Sequence, residues 1–234
     1  YGVVAVRTAW LKKHYPAEFM AAMMNSVTGN AAKIAGYIHY CRARGISVLP
    51  PSVNHSERKF TVDQDKDGKP AIRFGMGGVK NVGAACVDAI VMERENRGPY
   101  ADIFDFCRRM GGEEVNKRAV ESLVKAGCFD HLGAHRAQVY AVYEKALDSQ
   151  NNIKKQNVAG QVSLFDMGMP AQAMDIQETY PPVPEYPKEE LLRQEKEMTG
   201  VYCSGHPLDE YAPLLDRLSV NTAYVAEFAD REDK

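Results

Sequence analysis

A glycine-rich turn that leads into an amphipathic stretch is the part of this sequence whose residue types and spacing could bind an anion. In residues 84–94, Cys86, Val87, Ile90 and Val91 recur at helical spacing. The amides at the start of such a helix have no partner within the helix, and the helix dipole adds positive charge there. We therefore expect an anion site formed by the turn, whose residues are Gly77, Gly78, Val79, Lys80, Asn81, Val82 and Gly83.

This layout is typical of a helix-hairpin-helix, and a phosphate of nucleic acid is its natural ligand. Asn81 stands where many such hairpins carry a glycine, but Asn tolerates left-handed backbone geometry. A second unit is predicted in residues 116–147, with helices over Lys117–Ala126 and His135–Leu147 joined by Gly127–Gly133. The alternative is that both turns only connect packed helices.

The composition shows no excess of positive charge that would attract a polyanion such as DNA. The 234 residues carry a formal charge of −2, so we expect DNA affinity to be weak and salt-sensitive. The five cysteines are far apart, which indicates a reducing compartment and argues against disulfides or zinc. We find neither a signal peptide nor an apolar run that could span a membrane. Because the chain starts without Met, we expect a piece of a longer protein.

The rest of the chain predicts a mainly α fold with a small β-hairpin connection. Helices are expected after Pro16 and, capped by Asn30, up to Gly45. A short strand at Ile46–Leu49 precedes two more, over Phe60–Val62 and Ala71–Phe74. The acidic loop between the last two resembles half of a calcium-binding loop, but its twelfth position is Phe74 rather than Glu, so a turn is favoured.

Asp102 and Asp105 raise an alternative, because some base-excision glycosylases carry a catalytic Asp about this far after their hairpin. Asp102 is more simply explained as the cap of a helix with Ile103, Phe106, Cys107 and Met110 facing inward. Another helix, mostly exposed, is expected over Pro187–Met198 with Leu191, Leu192 and Met198 as its apolar edge.

Residues 150–186 are polar and proline-rich, as expected of a flexible linker. Within them, the run Gly160-Gln-Val-Ser-Leu-Phe165 contains two adjacent bulky apolar residues. These either fill a pocket on another protein as a short peptide or fold back on their own domain.

Several longer strings resemble the C family of bacterial replicative DNA polymerases, the DNA polymerase III alpha subunits. The strings that carry the resemblance are Trp10-Leu-Lys-Lys-His-Tyr-Pro-Ala-Glu-Phe-Met20, Gly45-Ile-Ser-Val-Leu-Pro-Pro-Ser-Val-Asn54, Val79-Lys-Asn-Val-Gly83, Phe104-Asp-Phe-Cys107, Asn116-Lys-Arg118, Leu123-Val-Lys-Ala-Gly-Cys-Phe-Asp130 and Gly200-Val-Tyr-Cys-Ser-Gly-His-Pro-Leu208. They occur in order over about residues 1–218.

The resemblance implies a division of the chain within the C-terminal half of such a polymerase. Residues 1–50 would end the fingers domain, 51–74 would form a β connection, and 75–149 would form a tandem helix-hairpin-helix domain that grips duplex DNA. Residues 150–186 would be the linker, 187–218 a helical segment, and 219–234 the start of a truncated oligonucleotide-binding fold.

The resemblance also implies partners and site residues. The amides of residues 77–83, with Lys80, would hold one DNA strand, and the second connection would hold the other through Lys125, Gly127, Gly133 and Arg136. The β sliding clamp would bind Gln161, Ser163, Leu164 and Phe165, and other replicase subunits would be further partners.

By the same resemblance, the polymerase as a whole would synthesise DNA with Mg in the bacterial cytoplasm, in association with the nucleoid. Its catalytic carboxylates would lie upstream, so we expect no catalytic residue, cofactor or metal in this segment and no membrane partner. Two other functions remain open, a repair enzyme such as a glycosylase and a helical scaffold that binds only protein.

Overall fold

The computed structural model describes the backbone of residues 1–111, 115–158 and 178–215, and the side chains within these ranges except those of 151–158 and 215. Residues up to Ser204 form one compact unit. Its helices are α1 Gly2–His14, α2 Pro16–Ser26, α3 Ala31–Ala43, α4 Ala84–Arg97, α5 Ile103–Met110, α6 Lys117–Lys125, α7 Arg136–Val158 and α8 Lys188–Thr199. Its strands are β1 Ser47–Leu49, β2 Thr61–Gln64 and β3 Pro70–Arg73. The mainly α prediction is confirmed.

The three strands form one sheet in the order β1-β3-β2. The predicted hairpin is present, since β2 pairs antiparallel with β3 and Val62 lies opposite Ile72. Strand β1 adds to the other edge of β3 in parallel, with Val48 opposite Ile72. Buried side chains of α2, α3 and this sheet share one core. Residues 1–50 and 51–74, which the resemblance assigns to separate segments, therefore pack together.

Helix ends follow the expected local signals. The side chain of Asn30 accepts a hydrogen bond from the amide of Lys33 and caps α3, and Asp102 accepts from the amide of Asp105 and caps α5. All four residues predicted to face inward on α5 are buried, and Phe104 joins them. The two capping predictions are confirmed, and each depends only on residues within one helical turn.

A second core lies around the hairpin helices α4 to α7 and includes Met198 of α8. Helix α7 runs to Val158, well past the predicted end at Leu147. The reason is local: residues 148–158 contain neither Gly nor Pro, and polar side chains such as Lys and Gln favour a helix. The polar stretch after residue 150 therefore begins as helix.

The predicted exposure of α8 is wrong at one important position. Glu195 is 1% exposed, and Gln194 is also buried. The apolar edge is confirmed at Leu192 and Met198. Charge pattern alone indicated a solvated face, but an acidic side chain can be buried where a partner neutralises it.

All five cysteines are buried thiols, as expected of small apolar residues. Burial raises the pKa of Cys41 to about 11, so this thiol stays protonated at neutral pH. Within the described ranges, no helix combines the length and apolar character needed to cross a bilayer. Residues 205–215 belong to a separate compact unit, in which a short helix α9 covers Ala212–Leu215.

Candidate nucleic-acid interface

The first hairpin directs most of its amides into the protein. A 3-10 turn over Met76–Gly78 precedes it in place of a full α-helix. The amide of Gly77 donates to Arg58 at 3.1 Å, and that of Lys80 donates to Met198 at 2.8 Å. The amides of Gly78, Val79 and Val82 also donate to backbone carbonyl oxygens within the turn. These five amides are therefore committed, which corrects the expectation that they point toward a phosphate.

Two of the glycines are explained by packing within the protein. A Cβ atom at Gly77 would lie 2.6 Å from the carbonyl oxygen of Arg58, and one at Gly78 would lie 2.8 Å from the ring of Phe74. Glycine lets another backbone approach closely. At Gly77 that backbone belongs to the segment between β1 and β2, whereas at Gly78 the close neighbour is the Phe74 ring, so both glycines serve the fold.

Asn81 adopts the left-handed conformation predicted for it, with φ of +62°. Its side-chain amide donates to the hydroxyl of Ser122 at 3.0 Å. Ser122 lies on α6, the first helix of the second hairpin unit. An Asn at this position therefore allows the turn and also ties the two hairpin units together.

The start of α4 is where the first hairpin offers groups to a ligand. Gly83 is the N-cap residue, and because it has no side chain it cannot cap the helix itself. Gly83, Ala84 and Ala85 are exposed, as is Lys80 just before them. A Cβ atom at Gly83 would have nothing within 4 Å. This end can therefore accept an anion between open amides and one ammonium group.

Arg136 does not face solvent in the second hairpin unit. Its side chain is 2% exposed and forms ion pairs with Asp130 at 2.6 Å and Glu195 at 3.3 Å. It also donates to the carbonyl oxygens of Lys125 and Leu191. Burial opposes its charge, but the two carboxylates outweigh this and raise the pKa of Arg136. The expected phosphate contact of Arg136 is thus corrected to an internal one.

The other predicted residues of the second connection differ in their availability. Gly127 has φ of +81°, and a Cβ atom there would lie 2.6 Å from the Arg136 guanidinium. Gly133 has φ of +87° with open space around it. Lys125 pairs with Glu121 at 2.6 Å, and this hydrogen bond raises the pKa of Lys125. Gly127 is therefore required by packing, whereas Gly133 is open to an approaching ligand.

The start of α7 already carries an anion, the carboxylate of Glu185. One of its oxygens accepts from the amide of Arg136 at 2.9 Å, and the other accepts from that of Ala137 at 3.1 Å. Burial alone would raise the pKa of Glu185, but hydrogen bonds from these amides and from Tyr186 lower it. Sequence reasoning missed Glu185 and Glu195, because no local pattern links either of them to a helix start about 50 residues earlier.

The two aspartates that suggested glycosylase chemistry have structural partners. Asp102 caps α5, and Asp105 pairs with Arg109 at 3.2 Å. In the part of the chain that the structure describes, no group of three or more His, Cys, Asp or Glu side chains is placed to hold a metal ion. The expected clamp motif, Gln161, Ser163, Leu164 and Phe165, lies outside the described residues.

Comparison with known proteins agrees with this geometry. Residues 45–139 match the family described as helix-hairpin-helix motif. Over 90% of its length, the chain is 39% identical to the DNA polymerase III subunit alpha of Vibrio cholerae, of which it covers 18%. It is 38% identical over 90% of its length to that of Xylella fastidiosa strain Temecula1, covering 17%. It is 34% identical over 93% of its length to that of Escherichia coli K12, covering 18%.

These matches show the class of domain and the family of proteins to which the chain is similar. Its central part is a helix-hairpin-helix domain. The chain as a whole fits a fragment of a DNA polymerase III alpha subunit, because its similarity to those proteins extends over nine-tenths of its length. The chain spans less than a fifth of the length of these curated relatives. The resemblance found in the sequence is confirmed.

Proposed function

We propose that this chain binds duplex DNA and tethers a replicative DNA polymerase to its sliding clamp. The similarity to DNA polymerase III alpha subunits and the helix-hairpin-helix match support this function. The observation that carries the DNA part is the exposed start of α4 beside Lys80, where the N-cap residue is Gly83 and offers no side-chain cap. That arrangement has the chemistry of a phosphate site and lies within the residues that match the hairpin family.

The first hairpin holds one phosphate strand through few groups. The open amides near Gly83 donate hydrogen bonds to phosphate oxygens, and Lys80 adds a positive charge. Such contacts position the protein without reading base sequence. Because the whole chain carries a formal charge of −2, we expect weak binding that falls steeply with salt.

The second connection contacts the other strand at its open end, near Gly133. Lys125 lies at the base of this connection and keeps about a quarter of its side chain exposed. Gly127 and Arg136 hold the connection in shape rather than touch DNA. This division follows from their burial and from the crowded space at Gly127.

Clamp tethering rests on the sequence Gln161-Val-Ser-Leu-Phe165. The side chains of Leu164 and Phe165 fill an apolar pocket of the β sliding clamp, and Gln161 and Ser163 add polar contacts. Tethering raises the effective concentration of DNA near the hairpins, which compensates for weak direct contacts. Other replicase subunits bind the same polymerase.

Template-directed nucleotidyl transfer belongs to the longer polymerase. Such transfer requires carboxylates that hold two metal ions, which we place outside this chain, with Mg as the metal. The polymerase acts on the chromosome in the bacterial cytoplasm. A DNA repair glycosylase is a weaker candidate, because both aspartates that suggested it are engaged in capping and ion pairing.

The test of duplex binding uses two substitutions at one position, Gly83→Asp and Gly83→Ser. Both side chains fit the open space and both can cap α4, so neither should unfold the protein. Only Asp places a negative charge where the phosphate would bind. A unit charge at a helix start is worth up to about 2 kcal/mol, so we expect Gly83→Asp to weaken binding to a 20-base-pair duplex by up to about thirtyfold.

Fluorescence anisotropy at several salt concentrations measures both affinity and its salt dependence. Gly83→Ser should bind within a few-fold of the unchanged chain, and Lys80→Ala should lower the salt slope by about 0.9. Equal affinities for Gly83→Asp and Gly83→Ser would contradict the phosphate site at α4.

The tether is tested separately by binding to a purified β sliding clamp. We expect the double substitution Leu164→Ala and Phe165→Ala to abolish clamp binding and to leave duplex affinity unchanged. Clamp binding that survives the double substitution would place the tether elsewhere.

A further inference from the structure

Positive charge is concentrated in the first three helices. Residues 1–45 contain six basic side chains and one acidic side chain, a formal charge of +5, whereas the whole chain carries −2. The basic residues are Arg7, Lys12, Lys13, Lys33, Arg42 and Arg44, and the acidic residue is Glu18. Over the described ranges, the first basic residue in chain order that forms an ion pair is Arg58. The six cations therefore have no carboxylate partner among the described residues.

A groove lies within this basic region and is lined by residues of α1, α2 and α3. Its volume is about 440 Å³, which is within the range of about 300–1,000 Å³ that is typical of ligand pockets. Phe19, Met20 and Met23 of α2 give it an apolar lining, and Lys12 of α1 and Lys33 of α3 add two exposed ammonium groups. The groove thus joins an apolar surface to two cations that no described carboxylate neutralises.

The α3 side of the groove is a single face of that helix. Lys33, Gly36, Tyr37 and Tyr40 line the groove and recur three or four positions apart. A Cβ atom at Gly36 would have nothing within 4 Å. The helix therefore leaves room at Gly36 for a side chain of a ligand.

Two kinds of anionic ligand could use these cations, a single strand of nucleic acid or an acidic peptide. A single strand needs ring faces on which its bases stack. The centre of the Tyr40 ring already lies 4.5 Å from the Lys12 ammonium and 5.1 Å from the Arg44 guanidinium, so this ring is poorly available to a base. The methionines favour the peptide, because flexible thioether side chains adapt to bulky apolar groups of different shapes.

We propose that the groove binds a peptide segment of a partner protein in which bulky apolar residues are flanked by Asp or Glu. The apolar side chains fill the space beside Phe19, Met20 and Met23, and the carboxylates pair with Lys12 and Lys33. This contact differs from the proposed clamp tether, in which this chain offers the peptide rather than the pocket. It uses no residue of the proposed DNA and clamp sites, so either proposal can fail without the other.

The test begins with a library of random 12-residue peptides that are displayed on phage and selected against the immobilised chain. The selected peptides should contain more Asp and Glu than Lys and Arg, together with bulky apolar residues. The most enriched peptide is then synthesised with a fluorescein label. Its affinity for the chain is measured by fluorescence anisotropy at about 0.15 M salt, where the screening length is about 8 Å.

Three substitutions at exposed positions distinguish the groove from general charge. Lys33→Glu reverses a charge in the groove, and Gly36→Leu fills the open space on α3 without a change of charge. We expect each to weaken peptide binding about tenfold or more, because the first replaces an attraction by a repulsion and the second blocks the apolar contact. Lys13→Glu is the matched control, since it makes the same charge change outside the groove lining. It should weaken binding less than about threefold, because salt screens exposed charges.

Several outcomes would overturn the peptide site. Equal losses in Lys33→Glu and Lys13→Glu would reduce the effect to net charge, and unchanged affinity in Gly36→Leu would place the peptide outside the groove. A selection that enriches no sequence, or only sequences without an acidic excess, would also refute the proposal. Displacement of the labelled peptide by a 12-nucleotide oligothymidylate at a lower concentration than by the unlabelled peptide would make single-stranded nucleic acid the ligand instead.

Discussion

Removing the buried carboxylate of Glu195 should destabilise the protein far more than removing an exposed one from the same helix. Glu195 is 1% exposed and accepts from the amides of Cys203 and Ser204 and from the Ser204 hydroxyl, at 3.2, 3.0 and 2.7 Å. It also pairs with Arg136, itself 2% exposed. In Glu195→Ala, three donors lose their acceptor, and the buried guanidinium keeps Asp130 as its one carboxylate partner among the described residues.

Breaking a buried ion pair by removing one partner costs about 3–5 kcal/mol. With a urea m-value of about 2 kcal/mol/M, this corresponds to an unfolding midpoint about 2 M lower. Glu197→Ala is the matched control, because Glu197 lies on the same helix and forms an exposed pair with Arg193 at 3.3 Å. Exposed pairs contribute less than about 1 kcal/mol, so its midpoint should move by less than about 0.5 M.

Urea unfolding followed by far-ultraviolet circular dichroism measures both midpoints. Glu195→Gln keeps the side-chain shape and one acceptor oxygen, and it should fall between the unchanged chain and Glu195→Ala. A shift for Glu195→Ala no larger than that for Glu197→Ala would refute the reasoning, since it would mean that the buried network contributes nothing beyond a surface pair.

Three further predictions concern the hairpins. Gly133→Ala should lower the unfolding free energy by about 1 kcal/mol because φ is positive there. Gly127→Ala should lower it by at least about 2 kcal/mol, because its Cβ also meets the buried guanidinium of Arg136. Equal costs for the two variants in chemical unfolding would contradict this crowding. Asn81→Gly should lose about 1 kcal/mol with the hydrogen bond to Ser122, and Asn81→Ala should lose about twice that because it must also hold a positive φ; the reverse order in melting temperature would be contrary evidence. Burial and nearby positive charge lower the pKa of His131 to about 4. Between pH 6.5 and 4 the unfolded chain therefore binds a proton that the folded chain does not, and stability falls as pH falls. His131→Gln should lose less melting temperature than the unchanged chain from pH 7.5 to pH 5, and an equal loss would exclude this histidine as the cause.

Predictions from the sequence succeeded where structure is set within one helical turn. The capping by Asn30 and Asp102 and the left-handed Asn81 each depend on a residue's own backbone preference or on neighbours three positions away. The apolar stripe of α5 likewise follows from spacing alone. Such features depend only on residues close in sequence, so they can be predicted from the sequence alone.

Predictions at the site failed where a polar group had two possible partners. An arginine at the start of a hairpin helix fits a phosphate contact equally well whether or not a carboxylate reaches it from a distant segment. For Arg136 the decisive partner, Glu195, lies 59 residues later, on a helix whose charge pattern indicated solvent exposure. Without knowledge of that pairing, neither residue could be assigned correctly.

The start of α7 depends on distance in the same way, and this bears on how the two hairpins differ. The N-cap Gly83 of α4 has no side chain that could accept an amide hydrogen bond, so the openness of α4 is readable from the sequence. The closure of α7 depends on Glu185, 49 residues beyond Arg136. Two hairpins that look equivalent as motifs are therefore unequal as anion sites, and this inequality comes from a single distant carboxylate.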